Sequence, residues 1–222
     1  MFKSLVAAML VAVGFLGWNG SGSVVPPLKL NRQKLIVEYA AEANQATLVL
    51  DAESEEAVGE VEIRNPQGAA IFELSAQKGQ RLALSEILIK TPDSSPADLF
   101  KNYPEGVYDI LAQTVDGTPV QGKAVLSHEL LAKPVVIYPI HGATRVPPHL
   151  TARWIPDPAA SKYRLILEQD ENDGLKVNLP AGSNSFRVPD GVLAPGTETT
   201  LEVVAVGLNG NCTLVEIIFT TQ

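Results

Sequence analysis

The sequence predicts an all-β chain: two tandem β-sandwich domains behind an export signal. Three observations carry that reading. Beyond residue 30, short apolar runs alternate with polar positions at a period of two, not at a helical period. Sixteen prolines and seventeen glycines break the 222-residue chain into short pieces and disfavour long helices. The amino terminus alone departs from the pattern, with one basic residue and a single apolar block.

In that block Lys3 precedes Leu5 to Trp18, an almost unbroken apolar run. It is shorter than the roughly 20 residues that a membrane-crossing helix needs. Asn19-Gly20-Ser21-Gly22-Ser23 follows, small and polar, with Gly20 and Gly22 at the specificity positions of a cut after Gly22. This is the pattern of a secretory signal peptide over residues 1–22. An uncleaved membrane anchor is the alternative, and would be the chain's one link to a membrane. Either way the remainder is expected to be secreted or periplasmic.

The first domain is expected over residues 33–132. Lys34 to Tyr39, Ala46 to Asp51 and Gly59 to Arg64 read as strands, the last with Val61 and Ile63 on one face and Glu60, Glu62 and Arg64 on the other. Asn65-Pro66-Gln67-Gly68 is turn chemistry, and Ala70 to Leu74 returns as a partner strand. Leu82 to Ile89 is a further apolar run. Ser95 caps a helix that has Pro96 in its first turn and stops before Pro104. Gly106 to Val115 and Pro119 to Leu126 flank Asp116-Gly117, a hairpin signal.

Lys133-Pro134 is the joint, too short to give slack, with Leu130, Leu131, Pro147 and Pro148 expected to fill it. Residues 134–222 then hold seven strand candidates: Val135 to Tyr138, Leu150 to Trp154, Tyr163 to Glu168, Leu175 to Leu179, Ser185 to Val188, Leu201 to Leu208 and Cys212 to Thr220. Seven short strands in this length suit one immunoglobulin-like sandwich. Its core is expected to hold Trp154, Tyr163, Leu193, Leu201 and Val203.

The positions of several of these residues resemble a fibronectin type III domain. Trp154 followed by Pro156 and Pro158 looks like the family's second-strand tryptophan and the proline-rich turn after it. Tyr163 sits where the third strand has its core aromatic. Leu193-Ala194-Pro195-Gly196-Thr197 looks like the turn into the sixth strand, and Leu201, Val203 and Ala205 follow the alternating core positions. Phe219-Thr220-Thr221 resembles a last-strand ending. The tyrosine expected after the Leu193–Thr197 turn is Thr199 here, so a looser corner is implied. No Arg-Gly-Asp tripeptide is present, so the resemblance does not imply integrin-type adhesion. Tyr103-Pro104-Glu105-Gly106-Val107-Tyr108, Asp116-Gly117 and Leu126-Ser127-His128 give the whole chain a likeness to a group of uncharacterised secreted bacterial proteins. They pair a β-domain with a fibronectin type III domain, and no activity comes with that likeness.

Charge and motif content narrow the function classes. Lys plus Arg is 17 against 25 Asp plus Glu, a net charge of −8, which argues against a nucleic-acid-binding surface. The single Cys212 allows no internal disulfide and no cysteine-based zinc cage, and it reads as a buried thiol on a core strand. No Gly-x-Ser-x-Gly elbow, phosphate-cradling loop or His-Glu-x-x-His helix occurs. His128, His141 and His149 would form a zinc site only by converging across the joint with a carboxylate such as Glu129.

Asp170-Glu171-Asn172-Asp173-Gly174 is the densest acidic loop. Asp170, Asn172 and Asp173 are its calcium candidates, but the glycine comes one residue too early for the usual calcium-loop spacing. A solvated turn is the competing reading. Asp51, Glu53, Glu55 and Glu56 are expected in a polar loop between strands. Glu60 and Glu62 share a strand face, a pairing that occurs on any strand and says little about glycoside hydrolysis.

Together these point to a non-catalytic extracytoplasmic binding or structural module at the cell envelope, without a cofactor. Its partner would be an extracytoplasmic protein or a glycan, not a nucleic acid. The alternatives are an accessory glycan-binding module or subunit of a secreted enzyme, and a calcium-binding envelope protein.

Overall fold

A computed structural model describes residues 26–75, 83–169 and 172–222. The leader of residues 1–22 and the candidate Asp170 lie outside these. Among the described residues no helix is long and apolar enough to cross a membrane.

The chain is built almost wholly of strands. The first half contains β1 (Leu28–Lys29), β2 (Arg32–Ala40), β3 (Gln45–Arg64), β4 (Ala70–Ser75), β5 (Leu84–Lys90), helix α1 (Pro96–Asn102), β6 (Gly106–Thr114) and β7 (Pro119–Leu126). Helix α1 starts where its cap chemistry places it: the Ser95 hydroxyl accepts from the Asp98 amide at 3.1 Å, and Pro96 needs no donor there. The turn after β3 is closed by Asn65, whose side-chain oxygen accepts from the amides of Gln67 and Ala69.

β3 overturns one expectation. The acidic stretch is not a loop between two strands but the middle of one 20-residue strand. Its first part pairs with β2 on one side and β5 on the other, and its last part pairs with β6 and β4. Two facts hold the backbone extended through the acidic residues. Ala52 and Ser54 are buried at alternating positions, and Val58 is buried beyond the exposed Glu55 to Ala57. Arg32 on β2 also gathers carboxylates from two strands, donating to Asp51 at 2.8 Å, Glu53 at 2.5 Å and Glu86 at 2.7 Å. The inward set then changes from even positions to Val61 and Ile63, which requires the register shift between Val58 and Glu60.

The second half contains β8 (Val135–Tyr138), β9 (Thr151–Ile155), β10 (Lys162–Gln169), β11 (Asn172–Pro180), β12 (Ser185–Arg187), β13 (Glu198–Val206) and β14 (Cys212–Thr220). Strands β12-β9-β8 make one sheet, and β14-β13-β10-β11 run in order in the other. Register places Leu165 opposite Val203 and Val203 opposite Val215, with Leu167, Leu201 and Ile217 aligned one layer along. These rows face Ala152 and Trp154 of the smaller sheet and make one apolar core. A separate core fills the first half, with Val37, Leu50, Ile63, Tyr108 and Leu126 among its buried members.

The halves are joined edge to edge. β14 pairs in parallel with β2, Cys212 opposite Glu38, Thr213 opposite Tyr39 and Leu214 opposite Ala40. One sheet therefore runs from β11 through β14 and β2 into β3. Leu130 packs on the first core and Leu131 on the second, so these two leucines do not face each other across the joint. Pro147 and Pro148 lie in the connection between β8 and β9, away from the β2–β14 pairing.

Candidate functional site

The densest set of long-range side-chain contacts lies at the joint, and Asn211 is its centre. This asparagine is 2 % exposed. Its side-chain oxygen accepts from the Val37 amide at 2.8 Å. Its side-chain nitrogen donates to the carbonyls of Ser127 and Glu129, both at 2.8 Å. Every polar site it uses is therefore matched to a first-half strand or to the connecting segment, which is what burial of an amide demands.

The connecting segment is held in alternation. Asn209 also donates to the Glu129 carbonyl, at 2.9 Å, and the Thr213 hydroxyl donates to the Leu131 carbonyl at 3.0 Å. The carbonyls of residues 127, 129 and 131 thus all belong to the second half. His128, between them, belongs to the first. Its ring stacks on Phe100 with centroids 4.0 Å apart, its Nε2 lies 2.7 Å from the Tyr103 carbonyl, and its amide donates to Glu105 at 2.5 Å. An extended segment shows successive residues to opposite sides, so each half can grip every second residue.

The other singled-out residues do not gather. His141 accepts from the Ile218 amide at 3.3 Å, and His149 is exposed. Among the described residues no three His, Cys, Asp or Glu side chains come together to hold a metal. Asn172 and Asp173 open strand β11 instead of forming a loop. Cys212 is buried on β14, and burial pushes its thiol upward. Glu60, Glu62 and Glu73 line a groove of about 510 Å³ among β3, β4, β6 and β7, together with core-side Val61 and Val120. Glu62 is engaged there by Arg64 at 2.6 and 3.1 Å.

Trp154 is 1 % exposed, and its ring lies 5.6 Å from that of Tyr163, tilted by 51°. Leu193, Leu201 and Val203 are buried in the same core. The indole nitrogen of Trp154 has no partner, and the Tyr163 hydroxyl accepts from the Asp157 amide at 2.6 Å. Neither aromatic offers a platform at the surface for a sugar.

Two corner features were not foreseen. The corner at Thr199 is not loose. Gln169 donates to Thr199 at 2.8 Å and to the Ala194 carbonyl at 3.1 Å, and accepts from the Ala194 amide at 2.6 Å. Thr221 adds a bond to the same carbonyl at 2.7 Å. A polar network from neighbouring strands replaces the missing tyrosine hydroxyl. The first half has the tyrosine corner instead: buried Tyr108 donates to the Pro104 carbonyl at 2.9 Å, and burial pushes its hydroxyl up to about 12. The spacing Pro104-x-Gly106-x-Tyr108 was the available signal.

No family model matches the chain, and no curated protein matches it. Similar solved structures include the chicken CNTN1 FN1–FN3 domains, at 9 % identity and a TM-score of 0.37, covering 89 % of this chain and 65 % of that one. This chain thus spans just under two thirds of that structure. A segment of two fibronectin type III domains from chicken tenascin aligns at 14 % identity and a TM-score of 0.32, over 85 % of this chain and 99 % of that one. The fibronectin(III)-like modules of Clostridium thermocellum CbhA align at 13 % and 0.30, over 90 % and 92 %. By its own strand order, three strands facing four around Trp154, the second half is a fibronectin type III-like β-sandwich.

Proposed function

We propose that the chain is a non-catalytic extracytoplasmic module that holds two β-sandwich domains, residues 33–132 and 134–222, in one fixed relation. In this role it spaces or presents surfaces to an envelope protein. The observation that supports this best is the joint. A flexible tandem needs only a linker, whereas here a buried asparagine, a shared sheet edge and a doubly gripped segment unite the two cores. Interfaces within a chain allow motion by default unless such contacts forbid it. The extracytoplasmic address is supported by Lys3, the Leu5–Trp18 run and the small residues after it.

The test has two parts. Residual dipolar couplings should fit both halves with one alignment tensor, and independent tensors would overturn the fixed-relation reading. N-terminal sequencing of fractionated cells should find a chain starting near Ser23 outside the cytoplasm, and a full-length cytoplasmic product would overturn the address.

A further inference from the structure

We propose that Asn209-Gly210 is a self-modification site that releases the joint in one direction. The closed joint protects Asn209 from loss of its side-chain ammonia, and once that loss has produced isoaspartate the joint cannot close again. This role rests on the fixed relation of the halves proposed above. Beyond the leader, Asn209-Gly210 is the one Asn-Gly pair in the sequence. A glycine has no Cβ to hinder its own nitrogen as that nitrogen approaches the asparagine Cγ.

In the reaction the Gly210 nitrogen gives up its proton to solvent and attacks Asn209 Cγ. The N–Cγ bond forms, the Cγ–Nδ2 bond breaks, and the departing nitrogen takes up a proton and leaves as ammonia. Water then opens the cyclic imide at either carbonyl. One opening gives aspartate. The other gives isoaspartate, whose main chain runs through Cβ and Cγ and is longer by one methylene. Water is the only co-reactant, and Asn209 is exposed to it.

Three contacts oppose the attack in the closed joint. Asn209 Nδ2 donates to the Glu129 carbonyl at 2.9 Å and Oδ1 accepts from the Asn211 amide at 3.0 Å, which fixes the carboxamide. The Gly210 N–H, which the attack must surrender, donates to the Gly207 carbonyl at 3.1 Å. The Glu129 bond exists only while the connecting segment lies against this turn, and Asn211 is itself held by Val37, Ser127 and Glu129. A reaction that needs the open form proceeds only in the open fraction of molecules.

Isoaspartate acts back on the joint through the turn. Gly207 donates to the Asn211 carbonyl at 2.8 Å and closes the loop in which Gly210 sits at φ +88°. An extra methylene inside that loop moves Asn211 along the start of β14. Its side chain reaches three partners at 2.8 Å only from its present place.

Peptide mapping by mass spectrometry, with enzymatic isoaspartate methylation as a second readout, follows Asn209 in the full chain kept warm at mildly alkaline pH. The folded parent should convert at least about tenfold more slowly than the same chain held unfolded in urea. A parent with one alignment tensor that converts as fast as the unfolded chain would overturn the protection and leave the fixed relation standing. Independent tensors in the fresh parent would overturn both. The isoaspartyl chain, isolated by chromatography, should need two alignment tensors. Asn209→Ala loses the same side-chain bonds but keeps its backbone length, and should need one. An isoaspartyl chain that keeps one tensor, or an Asn209→Ala chain that already needs two, would overturn the release.

Discussion

Replacing Asn211 by alanine tests the joint most directly. The change deletes one acceptor and two donations, stranding the Val37 amide and uncapping the carbonyls of Ser127 and Glu129. A hydrogen bond contributes about 0.5–1.5 kcal/mol net, and a buried group left unpaired costs about 1–3 kcal/mol. Glu129 keeps its bond from Asn209, so its loss is the smallest of the three. The expected cost is about 3 kcal/mol, nearly all of it in the coupling of the halves because neither core loses a side chain. Asn211→Asp is the informative companion. It keeps an acceptor for Val37 but turns carboxylate oxygens on two carbonyls, so it should be no better than alanine at neutral pH. Differential scanning calorimetry should resolve one transition in the parent and two in the variants. A second control is Asn209→Ala, exposed at the rim, which should cost under about 1 kcal/mol. If Asn211→Ala melts as the parent does, with one alignment tensor for both halves, the joint is held by the β2–β14 pairing and the bonds from Asn209 and Thr213, and the reasoning fails.

Three further outcomes are expected. Trp154→Ala should cost about 3–5 kcal/mol by emptying the second core, read by thermal melting, whereas a change within about ±0.5 kcal/mol would mark a surface role. Gly174→Ala should cost more than about 2 kcal/mol, since an added Cβ would sit 2.1 Å from the Leu167 carbonyl oxygen, and this too is read from the melting midpoint. Glu202 is raised above the ordinary carboxylate range first by burial and then by Glu168 and Glu216. A carboxyl raised on folding favours the folded state when protonated, and that contribution is lost as pH rises through its folded pKa. Glu202→Gln should therefore melt higher than the parent at neutral pH. The gap should close as pH falls through the raised value toward the ordinary range. A gap independent of pH would exclude this cause.

Much of the fold was legible because local chemistry and packing agree there. Ser95 and Pro96 start α1, Asn65 closes its turn, and Asp116-Gly117 makes its hairpin, each through contacts within four residues. The alternation of Leu201, Val203 and Ala205 marks a core face because the strand period is two. The middle of β3 was illegible because Ser54-Glu55-Glu56 has loop composition; the strand leading into it is held at Asp51 and Glu53 by Arg32, more than 18 residues away in sequence. Asn211 was missed because asparagine after glycine has the composition of a turn. Its meaning depends on partners 82, 84 and 174 residues distant, which no local pattern reports.

The 174-residue span between Val37 and Asn211 also orders the events of folding. Contacts of such separation carry a large loop-closure cost until each core has already drawn its own strands together. During synthesis, β2 can pair with β3 as soon as Glu53 has emerged, but its opposite edge has no partner until Leu214 follows. The joint is thus the last part of the molecule to close. Until then the first half exposes Ile36 to Ala40 as an open edge, and a chain stalled or cut short before β14 keeps it open. Truncation near the carboxyl terminus therefore does damage at the opposite end of the sequence.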